Sequence, residues 1–119
     1  MKKINIIKKS GDFQKIIKNN KSYKTKYLYI YIEKHEENIY HFGLSVGKKI
    51  GNAVRRNKVK RQLREIISEN DYQNNFDCII IVRREINECS FEEMKKDLND
   101  FFNRVNLIKE KKWKIKQQK

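Results

Sequence analysis

Cysteine is scarce: Cys78 and Cys89 are the only two in 119 residues. They have no CxxC spacing, which argues against a zinc site and against a disulfide framework. Cys78, in a strand-like stretch, reads as a small core residue, and Cys89 as part of a loop. Proline is absent; with the abundance of Lys, Asn and Ile this reads as compositional drift, and no function follows from it. Glycine is limited to four residues, and no Gly-rich phosphate loop appears. No apolar run approaches the ~20 residues of a membrane span, and the opening MKKINIIKKSGD lacks a signal-peptide apolar core. The expectation is a cytoplasmic protein without a membrane partner. Acidic residues are the shortage that points somewhere. Lys and Arg total 29 against 15 Asp and Glu, for a formal charge of +14 and a pI near 9.8. That is the footprint of a nucleic-acid binder, whose affinity comes from counterion release along a phosphate backbone. A basic ribosomal protein carries the same footprint, so charge sets the partner class only.

A catalytic centre is missing as well. There is no Ser or Cys nucleophile motif and no paired-carboxylate pattern. His35 lies in a polar turn and His41 alternates on a strand, neither with a partner at a spacing that suggests a metal or a general base. Asp12, Asp71 and Asp77 are scattered and read as caps or loop residues. The expected catalytic set is none, and the expected metal set in the protein is none. Any reaction the chain joins has its chemistry elsewhere.

What is present is concentrated between Gly43 and Asn70, GLSVGKKIGNAVRRNKVKRQLREIISEN. Lys48, Lys49, Arg55, Arg56, Lys58, Lys60, Arg61 and Arg64 fall there with no acid before Glu65. From Val54 the segment reads as a helix, with Val59, Leu63, Ile66 and Ile67 on one side and Asn57, Lys60, Arg61 and Arg64 on the other. A basic helix face is commonly just solvated surface. Here uncompensated like charges repel one another unless a polyanion is nearby, which favours an RNA contact. Gly47 and Gly51 flank Lys48 and Lys49, where a tight turn or close backbone approach fits.

Around it the chain reads as α-β-β-(β)-α-β-α in one RNA-binding domain, residues 1–119, with its core about 8–108. Residues 1–9 are basic and extended. Ser10 caps a helix over roughly 11–20, with Phe13, Ile16 and Ile17 on one face. Residues 21–26 read as a loop. YLYIYIE (27–33) is a strand with Leu28, Ile30 and Ile32 on one side and Tyr27, Tyr29 and Tyr31 on the other. Those rings are either ordinary strand residues or a platform for unpaired bases, worth about 1–3 kcal/mol per base. Residues 40–46 return as a second strand, suggesting an antiparallel hairpin. FDCIIIVRR (76–84) reads as a strand covered on both faces. Ser90 and Glu93 form a capping box for a last helix, and the basic tail from 109, with Trp113, reads as frayed. A crossover around the basic helix is right-handed by default.

The run GLSVGKKIGNAVRRNKVKRQLRE closely resembles the signature segment of the bacterial ribonuclease P protein subunit, with its Arg-Asn-Arg-rich helix. KKSGDFQKIIK, YLYIYIE, DCIIIVRR and SFEEMKKDL resemble that family's first helix, second strand, late strand and final helix, so the likeness spans roughly residues 3–108. It implies an α+β fold: a single-domain α/β sandwich of the ribosomal protein S5 domain 2-like type, with a left-handed crossover in place of the default. It also implies a protein that assists an endoribonuclease whose RNA subunit is the catalyst and holds most of the Mg²⁺. The reaction is hydrolytic removal of the 5′ leader of precursor tRNA. The implied partners are ribonuclease P RNA, with one protein per RNA, and precursor tRNA. Carried over by position, Lys48, Lys49, Arg55, Arg56, Asn57, Lys58, Lys60, Arg61 and Arg64 contact the catalytic RNA, and Phe13, Ile17, Tyr29 and Tyr31 line a leader cleft. Two positions depart from the pattern. Lys58 replaces a planar Arg fork with a point charge, and Ile17 stands where a ring is common. The alternatives are a structural ribosomal-RNA binder, a DNA module, which lacks the second short helix of a helix-turn-helix, and a stand-alone nuclease.

Overall fold

The run FDCIIIV is apolar on both faces because it becomes an inner strand. The computed structural model describes residues 10–109; the extended stretch expected over 1–9, the tail from 110 and Trp113 lie outside them. In chain order come α1 (Ser10–Asn19), β1 (Ser22–Lys24), β2 (Leu28–Lys34), β3 (Tyr40–Ser45), α2 (Ala53–Ser68), β4 (Phe76–Val82) and α3 (Phe91–Arg104). Short 3-10 turns at Lys48–Ile50 and Arg84–Glu88 precede α2 and α3. The sheet order is β1-β2-β4-β3, so β4 has a partner on each edge.

Three expectations are corrected here. The hairpin between β2 and β3 does not exist, because β4 lies between them, antiparallel to β2 and parallel to β3. Residues 22–24, read as loop, form β1 against β2 with Tyr23 opposite Ile30. Helix α1 runs Ser10–Asn19, one residue earlier than the expected 11–20. The crossover from β3 through α2 to β4 stands as expected.

Register divides the sheet into two faces. Leu28, Ile30 and Ile32 pair with Val82, Ile80 and Cys78, and the last two with Leu44 and Phe42. This face packs with Val59, Leu63, Ile66 and Ile67 of α2 and Met94, Leu98, Phe101 and Phe102 of α3 into the main core. Tyr72 closes one end, its hydroxyl donating to the Ile67 carbonyl at 2.7 Å, its ring tilted on Phe42 at 5.0 Å. Tyr27 joins this core instead of the outer tyrosine row, since it precedes the strand and escapes its alternation. Helix α1 packs on the opposite face, over β2 and β4. Its Ile16 is buried there, outside the main core.

The last helix starts where its capping box places it. The Glu93 amide donates to Ser90 Oγ at 3.1 Å, and the Ser90 amide donates to Glu93 Oε1 at 2.9 Å. Ser90→Ala is expected to cost about 1 kcal/mol, seen as a lower urea midpoint with an unchanged slope. A midpoint that does not move would show that the box adds nothing to folding.

Candidate nucleic-acid interface

Helix α2 separates grease from charge as its periodicity requires. Val59, Leu63, Ile66 and Ile67 are buried, while Asn57, Lys58, Arg61 and Arg64 are exposed and Lys60 is half-exposed. Asn52 caps it, its side-chain oxygen accepting the Arg55 amide at 2.9 Å. Just upstream, Lys48 and Lys49 are exposed on the 3-10 turn, with Ile50 buried behind them. Gly51 joins turn to helix at φ 155°, and a Cβ there would come within 2.9 Å of Arg55 Cγ. The glycine therefore lets two cationic segments meet at a short corner.

Not all the predicted cations are equivalent. Arg55 is engaged: its Nε donates to Asn87 Oδ1 at 2.9 Å, and Asn87 Nδ2 donates to the Ile50 carbonyl at 2.9 Å. It braces the corner against the turn before α3. Arg56 is half-buried, and its Nε is buried without a hydrogen-bond partner among the described residues. Lys48, Lys49, Lys58, Lys60, Arg61 and Arg64 form no ion pair with a carboxylate among the described residues. The pairs that do form lie elsewhere, as in Lys95–Glu69 at 2.9 Å, Lys96–Asp100 at 2.7 Å and Arg83–Glu85 at 3.0 Å. Lys95 and Lys96 are held above the usual lysine range by those partners.

The second predicted group sits on the α1 face of the sheet. A Cβ on Gly43 would strike the Phe13 ring at 2.6 Å, so only glycine lets α1 press this close. Gly43 is opposite Ile79, Ile79 opposite Tyr31 and Tyr31 opposite Ser22, which puts all four on the face α1 covers. One rung on lie Lys24, Tyr29, Ile81 and Ser45. Phe13, Ile17, Tyr29 and Tyr31 are all half-buried. Tyr29 is partly occupied, with the Arg83 guanidinium 5.3 Å from its ring centre. Arg83 is itself anchored, Nη1 donating to the Thr25 and Lys26 carbonyls at 2.8 Å. Tyr31 has no such cover among the described residues.

A third group escaped the sequence reading. Asp77, taken for a cap or loop residue, lies within β4, opposite Glu33 on one side and His41 on the other. His41 Nδ1 is 2.8 Å and His35 Nε2 3.2 Å from Asp77 Oδ1. The histidines therefore do have a partner, one made by strand pairing and not by spacing along the chain. Neither thiol offers a nucleophile: burial pushes Cys78 and Cys89 upward, keeping both protonated.

A ribonuclease P family model matches residues 1–106. The ribonuclease P protein component of Mycoplasma capricolum is 43% identical over 113 residues, covering 92% of this chain and 98% of that protein. That of Mesoplasma florum is 39% identical over 102 residues, covering 83% and 93%. Among solved structures, the RNase P protein of Staphylococcus aureus superposes with a TM-score of 0.79 at 30% identity, covering 90% of this chain and all of that one. That of Thermotoga maritima gives 0.75 at 29%, covering 84% and 96%. Helix order, signature segment and these matches agree over nearly the whole length, and the chain belongs to the ribonuclease P protein component family.

Proposed function

We propose that this chain is the RNA-gripping subunit of a ribonuclease P endoribonuclease, and that the catalytic RNA carries out the cleavage. One observation carries the reading: the exposed cations of α2 and its preceding turn have no carboxylate partners among the described residues. Such a surface is self-repelling in isolation and is relieved by phosphates. Lys48 and Lys49 extend it around the corner that Gly51 forms, and Arg55 holds that corner rigid. On the other side of the sheet, the half-buried Phe13, Ile17, Tyr29 and Tyr31 beside α1 accept the single-stranded 5′ leader of precursor tRNA. Unpaired bases stack on rings such as Tyr31, which a duplex does not permit.

The Mg²⁺ that the family's reaction needs does not fit the protein's cationic surface. Mg²⁺ takes oxygen ligands, and no carboxylate stands between Lys48 and Arg64. The ions are therefore assigned to the RNA. The chain's own contribution is to lower phosphate repulsion where two RNAs approach, so that the RNA fills its metal sites at lower concentration.

The test is cleavage of a 5′-leader precursor tRNA at low Mg²⁺, with bacterial ribonuclease P RNA and with or without this protein. Activity only with both components is the expected result. Cleavage by the protein alone would sink the assignment of chemistry to RNA. Failure with a well-folded cognate RNA would favour a structural ribosomal-RNA binder.

A further inference from the structure

Given the RNA-gripping role proposed above, on which this rests, we infer that Asn87 is a positioning residue of the RNA-binding surface. It fixes the corner at which Lys48 and Lys49 meet α2, although it is uncharged and lies outside the signature segment. Asn87 belongs to the 3-10 turn between β4 and α3, 37 residues along the chain from Ile50. Its Nδ2 donates to the Ile50 carbonyl at 2.9 Å, and its Oδ1 accepts from Arg55 Nε at 2.9 Å. These two bonds straddle Gly51, the joint between the lysine-bearing turn and the cap of α2. A guanidinium only donates and a carbonyl only accepts, so a single clamping group has to do both, as a carboxamide does. Aspartate could not donate to Ile50, and alanine would make neither bond.

The clamp matters because the joint is the pliable point of the surface. Gly51 stands at φ 155°, in a region that glycine enters at little cost and leaves as readily. Lys48 and Lys49 are exposed just before it, so freedom at Gly51 becomes spread in the placement of their ammonium groups relative to α2. The buried Ile50 side chain anchors one end of the turn but not the Ile50–Gly51 peptide, whose carbonyl Asn87 takes. The far side of the clamp is firm. Ile86, next to Asn87, is fully buried in the main core, and its amide donates to the Arg83 carbonyl at 3.0 Å. Arg55 is held at its amide by the Asn52 side chain at 2.9 Å, and its Nη2 reaches the Ile86 carbonyl at 3.5 Å. Asn87 is exposed and neutral, so it adds nothing to the long-range attraction of RNA. Its contribution is preorganisation. A folded RNA presents phosphates at set positions, and lysines already placed to meet them lose less freedom on binding. A flexible strand adapts to the lysines wherever they stand and gains nothing from the clamp.

The test is Asn87→Ala in the full-length protein, titrated against bacterial ribonuclease P RNA. Affinity should fall roughly 8- to 60-fold at about 0.1 M monovalent salt, with a salt slope flatter by about 0.9 to 1.8, as if one or both lysine contacts were lost although no charge is removed. In a Lys48→Ala/Lys49→Ala background the same substitution should change nothing further. Affinity for poly(U) should stay at the parent value. Amide exchange on the free protein gives a readout without RNA. Gly51, whose amide donates to the Lys48 carbonyl at 3.2 Å, should exchange faster in the variant, and Leu63 within α2 should not. An unchanged slope, additive losses in the lysine-free background, equal loss on poly(U) or unchanged Gly51 exchange would each overturn the positioning role. Faster exchange throughout α2 would make Asn87 a stability residue, and a steeper slope would mean that it withholds Arg55 from RNA; both outcomes also overturn it. Arg61→Ala/Arg64→Ala keeps two failures apart. If that variant flattens the slope and Asn87→Ala does not, the RNA-gripping reading stands and the clamp falls; if neither does, both fall.

Discussion

The double variant Arg61→Ala/Arg64→Ala is expected to bind the catalytic RNA roughly 60-fold more weakly at about 0.1 M monovalent salt, with a salt slope flatter by about 1.8, if each arginine neutralises one phosphate. The estimate follows from counterion release, in which each lost contact removes about 0.9 from the slope of log K against log salt. Both side chains are exposed and neither makes an ion pair among the described residues, so folding stability should stay within about 0.5 kcal/mol. Lys96→Ala is the matched control. Lys96 is also exposed, but it is paired with Asp100 at 2.7 Å on α3; its loss should leave the RNA slope unchanged. Equal slopes for all three proteins would show that the α2 cations are only solvated surface. A drop in affinity without a slope change would mean that the arginines act through shape and not charge.

How far the sequence could be read depended on whether a feature is local. The Val59, Leu63, Ile66 and Ile67 stripe was readable because helical periodicity is written within three turns of chain. The Ser90–Glu93 box was readable for the same reason. Strand β1 was not: Ser22, Tyr23 and Lys24 are all exposed and show no apolar alternation. They are ordered by pairing with β2 and by the edge of Tyr23 against Phe101 at 5.4 Å. The mistaken hairpin came from treating neighbours in sequence as neighbours in the sheet, whereas β4 offers two apolar faces and takes the inner place. Once that order is wrong, the rung Glu33–Asp77–His41 cannot be seen. No spacing along the chain announces that His35, His41 and Asp77 meet. The cationic surface needed only composition and period, whereas dividing its members needed coordinates: Arg55 braces Asn87, while Arg61 and Arg64 remain free of ion pairs among the described residues.

The proposed leader contact gives a sharper test, because it predicts discrimination and not simply binding. With the holoenzyme, Tyr31→Ala should weaken precursor tRNA binding by roughly 5- to 150-fold, the equivalent of about 1–3 kcal/mol for one lost base stack. Mature tRNA, which has no leader, should bind as before. Tyr31 is the residue to choose because Arg83 already covers a face of Tyr29, and Ile17 has no ring to stack. Phe13 is committed to the close contact over Gly43, so truncating it would disturb the seat of α1 as well as the proposed leader contact. Tyr31→Phe separates stacking from fold: the ring is retained and only the hydroxyl is lost, so precursor affinity should stay near the parent value. If precursor and mature tRNA lose affinity equally with Tyr31→Ala, the residue does not contact the leader. If Tyr31→Phe fails as badly as alanine, the hydroxyl and not the ring makes the contact, and base stacking is the wrong physics for this face.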